Sequence, residues 1–303
     1  MIIDTHEHTF DAKTLQCWAA SRIPDFEKNN VYYVEISINC FDIDDMAAIV
    51  TKNTPCLGIV PGQHPKLVSE DTDVKKIFSY VVNRLNIYND HVLGLKTGLD
   101  YQWGENSKAR SNQRELLTLF LEYAKDKHMP VVLHVRSHEN EPEKADDDVI
   151  AALLCTGFDG KIVLHCFNGN KDIVRRYLEV NKNTYFGLGG VITYPGSQDT
   201  LEAIKNIPRT RILLETDGPY LKPFHPDGSR PVGKKNSSLN LPIVIEKIAE
   251  TIGIEATEVE EITTRNACDF YNLRILEVVN DVCKEKKREH TGNGTVCDIY
   301  QEI

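Results

Sequence analysis

Histidine or aspartate stands just after a short apolar run at five places in this chain. These are His6 and His8 in IIDTHEH, His64 in GIVPGQHP, His134 in VVLHVR, His165 in VLHCF and Asp217 in ILLETDGPY. A sixth run, VLGLKTGLDY, carries a lysine there instead, Lys96. Imidazole nitrogens and carboxylate oxygens at strand ends are the donors of a divalent-metal hydrolase; imidazoles suit Zn, Mn, Fe or Ni, and carboxylates extend the set to Mg. Residues i and i+2 of a strand point to one side, so the rings of His6 and His8 can reach one ion. Asp4 is close enough in sequence to orient one of those rings from behind. His134 or His165 alone reads equally well as a hydrogen-bonded core histidine. Taken together with the His-x-His pair, on strands of one barrel, they read as ligands. Asp217 ends the last apolar run before Gly218-Pro219 turns the chain. A carboxylate there can ligate a metal and take a proton from water as general base; the weaker alternative is a turn residue capping a helix.

These residues need elements that bring distant strand ends to one place. Eight apolar runs recur, at Ile2-Ile3, Val31 to Ile38, Cys56 to Val60, Val92 to Leu95, Val131 to Val135, Ile162 to Leu164, Tyr185 to Leu188 and Ile212 to Leu214. They are rich in Val, Ile and Leu rather than alternating, as strands covered on both faces should be. Helical spacing is expected over Arg114 to His128, Asp146 to Leu154, Lys171 to Val180, Thr200 to Ile207, Leu241 to Ile252 and Ala256 to Tyr271. Strands alternating with helices predict an α/β fold, a (β/α)8 TIM-type barrel, as a single domain over residues 1–273. A doubly wound open sheet is the runner-up. It is disfavoured because only a closed barrel gathers so many strand ends around one mouth. Residues 274–303, dense in charge around KEKKREH, read as a short C-terminal helix and a flexible tail.

Composition narrows the function. The chain has 303 residues and a formal net charge of -10, which argues against a general nucleic-acid binder because phosphate backbones are held mainly by Lys and Arg. An enzyme gripping a few phosphates is still allowed, since bound metal ions supply positive field locally. The eight cysteines include no Cys-x-x-Cys and read as reduced thiols. With no membrane-spanning run and no signal peptide at the start, an intracellular protein, in cytoplasm or nucleus, is expected, with no membrane partner. Oligomeric state is not encoded in any motif; a monomer is favoured.

The motifs as a set resemble the TatD family of metal-dependent deoxyribonucleases, within the amidohydrolase-like barrels. The matching pieces are DTHEH near the start, GQHP at 62–65, TGLDY at 97–101, PVVLHVR at 130–136, VLHCFNG at 163–169, ETDGPYL at 215–221 and TTRNACDFY at 263–271. The resemblance implies a divalent cation (Mg, Mn or Zn), one or two per chain, and hydrolysis of DNA phosphodiester bonds, commonly from the 3′ end toward the 5′ end. It implies His6, His8, His134, His165 and Asp217 as metal ligands, with Asp217 also the general base acting on metal-activated water. His64, Arg136 and Lys234 would hold phosphate oxygens, and Tyr101 and Tyr220 are candidates to stack on a base, although a core role suits each as well. The alternatives are an amidohydrolase-like enzyme acting on a small amide, ester or lactone, and a catalytically impaired binding protein.

Three departures from the family pattern stand out. The motif before TGLDY usually reads Gly-Glu, the glutamate bridging two metals; here it is Leu95-Lys96. The turn after the last strand often ends Asn-Glu-Pro; here it is Gly-Lys-Lys-Asn-Ser-Ser at 233–238. The segment after Arg136 is longer and acidic, and reads as a solvated loop or as a lip that repels nucleic acid. Lys96 matters most. A unit-charge contact at about 4 Å costs roughly 4 kcal/mol at an effective dielectric near 20, and a dication about doubles that. Three outcomes follow. Lys96 becomes a carboxylated ligand, as related amidohydrolase barrels have on the corresponding strand; or the site holds one metal with Lys96 turned to an acid or a phosphate; or the metal pair is lost.

Overall fold

The computed structural model describes residues 1–14, 16–50, 55–103 and 106–274. Eight parallel strands build its wall: β1 (Ile2–Glu7), β2 (Val31–Ile36), β3 (Cys56–Val60), β4 (Leu95–Asp100), β5 (Val131–Arg136), β6 (Ile162–Leu164), β7 (Thr184–Leu188) and β8 (Ile212–Leu214). Pairing runs β1-β2-β3 and, separately, β4 through β8 in order. Two seams close the ring. Bridges Ile59↔Val92 and Gly62↔Lys96 join β3 to the β4 side, and Glu7↔Gly218 joins β1 to the segment after β8. The sheet therefore closes on itself as a (β/α)8 barrel, which leaves no open edge and excludes the doubly wound alternative.

Nine helices surround the strands among the described residues: α1 (Ile23–Lys28), α2 (Ile43–Val50), α3 (Val74–Ile87), α4 (Ser107–Lys127), α5 (Lys144–Thr156), α6 (Lys171–Val180), α7 (Gln198–Ile204), α8 (Leu241–Ile252) and α9 (Ala256–Phe270). The spans of α6 and α8 match the sequence expectation. Helix α4 begins about two turns earlier than expected, because the Asn106 side chain accepts from the Ala109 N–H and caps it. Strand β4 is displaced from the expected Val92–Leu95. Val92 contributes only a bridge, and the strand proper runs on through Lys96, Gly98 and Asp100. Its polar residues line the interior rather than end the strand. The helix and tail expected over 274–303 lie outside the described residues except for Arg274.

Two apolar layers follow from strand alternation. Val131 and Leu133, Ile162 and Leu164, and Ile212 and Leu214 face the helices, while the residues between them, Val132, Val163 and Leu213, fill the barrel interior. The floor of that interior is sealed by the end of α9, where Phe270 and Tyr271 pack with Ile3, Val34 and Tyr185. The same period carries His134, His165 and Glu215 inward at the far ends of their strands. Gly98 shows how tightly β4 and β5 abut there: it has φ 143°, and a Cβ at that position would sit 1.9 Å from the His134 carbonyl oxygen. Only glycine fits.

Candidate metal centre

Strand β1 needs an extra residue to present its histidines. Ile3 faces the barrel interior, so strict alternation would next point Thr5 and Glu7 inward. Its pairing with β2 instead shifts register between Asp4 and Glu7: Asp4 pairs with Tyr33, and Glu7 with Glu35, three residues against two. This bulge brings His6 and His8 to the mouth. Thr5 turns its hydroxyl to the Leu214 carbonyl, 2.8 Å away.

The three strand ends converge on one carboxylate oxygen. Asp217 Oδ1 lies 3.2 Å from His8 Nε2, 3.6 Å from His6 Nε2 and 3.9 Å from His165 Nε2. Asp217 adopts a left-handed backbone, φ 53°, and its N–H donates to the His6 carbonyl at 2.9 Å, which locks the turn onto β1. His8 Nδ1 is 2.7 Å from the Ile36 carbonyl, so that nitrogen carries the proton and Nε2 offers its lone pair. His165 Nδ1 is 3.1 Å from Glu215 Oε1 and is oriented in the same way. His6 stacks on His165 with ring centroids 3.7 Å apart.

Several buried groups here have no partner of their own. Both ring nitrogens of His6, Glu215 Oε2 and Lys96 Nζ make no hydrogen bond, although all three residues are at most 1% exposed. An unsatisfied buried imidazole costs about 1–3 kcal/mol, and a cation held by His6, His8 and Asp217 would remove that cost. Donor atoms within 4.8 Å of one another form three overlapping groups among the described residues: His6–His8–Asp217, His6–His165–Glu215 and His165–Cys166–Asp217. The donor set fits a divalent ion.

Protonation suits ligation. Burial pushes the His6 and His165 rings well below the usual histidine range, and the neighbouring rings and Lys96 push the same way. For Asp217, burial raises the carboxyl, but His165, His8 and Lys96 outweigh it and hold it below the ordinary aspartate value. Burial lowers Lys96 from 10.5 to about 8, partly offset by Asp217 and Glu215.

The remaining expected residues divide. His134 stands at the mouth, but its Nε2 is 3.0 Å from Asp100 Oδ2, and it joins none of the three donor groups. His64 packs on His134 with ring centroids 4.3 Å apart; its Nδ1 accepts from the Lys66 N–H, which leaves Nε2–H as a donor. Arg136 is exposed at the end of β5, in register with Asp100. Lys234 is exposed, whereas its neighbour Lys235 lines a cleft beside His8. Tyr101 is not available for stacking: it is buried and donates its hydroxyl to Asp148 at 2.6 Å. Tyr220 is 54% exposed, 6.4 Å from the His8 ring.

Asp4 does not orient a histidine ring. Its carboxylate accepts from the Thr216 hydroxyl and from the backbone N–H groups of Thr216 and His6, and so ties β1 to the end of β8. Ser238, in the divergent turn, is fully buried and lies 2.9 Å from Asp4 Oδ2 and 2.6 Å from Glu7 Oε2. One hydroxyl has one proton, so one of the two acids holds a proton as well. Burial raises both carboxyls, Asp4 to about 7 and Glu7 well above the usual range, so the pair shares that proton. The sequence reading passed over Asp100, Glu215, Lys235 and Trp18. Asp100 was signalled by its even spacing from Lys96 on β4, and Glu215 by its even spacing from the inward-facing Leu213.

Fold and site together define a (β/α)8 barrel with a histidine–carboxylate cluster that could hold a metal ion at the C-terminal ends of its strands. Residues 3–272 match the family described as TatD related DNase, and the chain belongs to that family. Among similar proteins, Bacillus subtilis YabD, named an uncharacterized metal-dependent hydrolase, is 33% identical over 58% of this chain. Mycobacterium tuberculosis TatD, named likewise, is 30% identical over 59% of it. The chain spans 63% of the length of each of these two relatives. Human deoxyribonuclease TATDN3 is 29% identical over 72% of this chain and 73% of its own. The TatD family hydrolase structure from Entamoeba histolytica superposes with a TM-score of 0.73 at 19% identity, covering 90% of this chain and 98% of its own. The TatD homologue YjjV of Escherichia coli gives 0.69 at 20%, with the same coverage. Both share the fold.

Proposed function

We propose that this protein is a divalent-metal-dependent hydrolase that cleaves DNA phosphodiester bonds, working from the 3′ end. The observation that carries this is the convergence of His6, His8 and His165 on Asp217 Oδ1 around an imidazole with no partner of its own. The ion, held by His6, His8 and Asp217 with His165 beside them, would supply Lewis-acid stabilisation of charge on the phosphate and acidify water. Asp217, ionised at neutral pH, accepts the proton of the attacking water. The Nε2–H of neutral His64 and the guanidinium of Arg136 donate to phosphate oxygens at the rim.

The cleft beside His8 has a volume of about 370 Å³ and is lined in part by Trp18, Tyr220 and Lys235. Trp18 is fixed by donating its indole N–H to the His8 carbonyl at 2.8 Å, and Lys235 Nζ lies 4.8 Å from its ring centroid. Two aromatic faces and an ammonium next to the ligands suit the base and phosphate of a terminal nucleotide. The names of relatives such as deoxyribonuclease TATDN3 agree with that reading.

The test is an assay on 5′-labelled single-stranded and duplex DNA with added Mg, Mn or Zn. Shortening from the 3′ end, blocked by a modified 3′ terminus and reduced about 10²–10⁴-fold by Asp217→Asn, is the expected result. Absence of DNA cleavage with every ion, together with turnover of small esters or lactones, would replace this reading by an amidohydrolase-like one.

A further inference from the structure

Lys96 is a fully buried lysine on β4, the strand that pairs with that of His134. It lies on β4 at 0% exposure, and its Nζ has no hydrogen-bond partner. Strand alternation sends it inward: Leu95 and Leu99 face the helices, while Lys96 shares the interior with Asp100. Asp217, Glu215, His6, His134 and His165 all lie near enough to feel its charge. The donor geometry points the same way. The three ligand groups overlap through His6, His165 and Asp217, so they outline one pocket rather than two. His134 is held by Asp100 and joins none of the three groups. Glu215 uses Oε1 on the His165 ring and on the Cys166 N–H, which makes it an orienting group for His165.

We infer that the mouth binds a single divalent ion, on His6, His8 and Asp217, and that the Lys96 side chain occupies the place of a second one. This rests on the metal-site reading of the same cluster but not on any choice of substrate. The ammonium repels a dication at contact distance, and a lysine at this inward position of β4 offers no oxygen ligand. Lys96 would thus act as a built-in cation, balancing Asp217 and Glu215 without a metal.

Metal content per chain, measured by native mass spectrometry after loading with Mn and desalting, tests this directly. One ion in the unaltered protein, two in Lys96→Glu and one in Lys96→Gln is the expected series. Electron paramagnetic resonance of the Mn-loaded protein should show an isolated ion, with magnetic coupling appearing only in Lys96→Glu. Two ions in the unaltered protein would overturn the inference, and a mass increase equal to one CO₂ would identify a carboxylated lysine as the reason. A folded Lys96→Glu variant, checked by circular dichroism, that still binds one ion would also overturn it. If the DNA assay fails while the count stays at one, the substrate reading falls and this one stands.

Discussion

Asp217 and Lys96 show how a single side chain decides what this site can be. Asp217 is legible in the sequence because a carboxylate ends the last apolar run. Its meaning depends on Oδ1 standing within 3.9 Å of three imidazoles. Asp100 was not singled out, since its motif reads as a strand end. It holds His134, which joins none of the three donor groups, at 3.0 Å, so Asp100→Asn should leave the metal content per chain unchanged, as native mass spectrometry reads it. Lys96 makes a stability prediction for the metal-free protein. A fall from 10.5 to about 8 means that the unfolded chain binds the proton more tightly than the folded one. Stability therefore rises with pH between about 8 and 10.5, and below pH 8 the burial penalty is fully present. Lys96→Met should stabilise the metal-free form by about 1–3 kcal/mol at pH 7 and abolish that rise, as read by urea denaturation across pH. The buried neutral histidines act in the opposite window: their lowered values mean that stability falls as pH drops through 6.5, where only the unfolded chain gains protons.

Strands and helices set which residues face each other. The bulge in β1 is the element-level event that turns a His-x-His pair into a mouth-facing pair, and no pattern in IIDTHEH announces it. Most strands were readable as apolar runs. Strand β4 was misplaced because its inward residues, Lys96, Gly98 and Asp100, break the hydrophobic signal where the site begins. Helix α9 was readable from its period, but its role as the floor plug was not. Phe270→Ala should cost about 3–5 kcal/mol, measured by chemical denaturation, because the ring is fully buried against Tyr185 and Tyr271. The mouth lies at the opposite end of the strands, so the metal affinity of the folded fraction should hardly change.

For the molecule as a whole, charge and closure matter most. The net charge of -10 leaves few cations to meet DNA; Lys13 and Lys235 line the cleft, and Arg136 and Lys234 are exposed. Two or three phosphate contacts predict a shallow salt dependence, with log KM against log salt of slope about 2. A slope near that of a polymer-tracking binder would point to a basic surface elsewhere. No helix among the described residues is long and apolar enough to cross a membrane.

The sequence by itself determined the barrel, through eight Val/Ile/Leu runs alternating with helices, and most donor residues, through the side chains that follow those runs. It also exposed the anomaly at Lys96, because residue type is independent of folding. Tertiary structure alone decided which donors meet. His134 went to Asp100, Asp4 to Thr216 and Ser238, and Tyr101 to Asp148, while His6, His8 and His165 went to Asp217. Ligation depends on atoms from strands some 200 residues apart arriving within a few ångströms. That is fixed by one bulge, two closing seams and a left-handed turn, of which only the turn is signalled locally, by Gly218-Pro219.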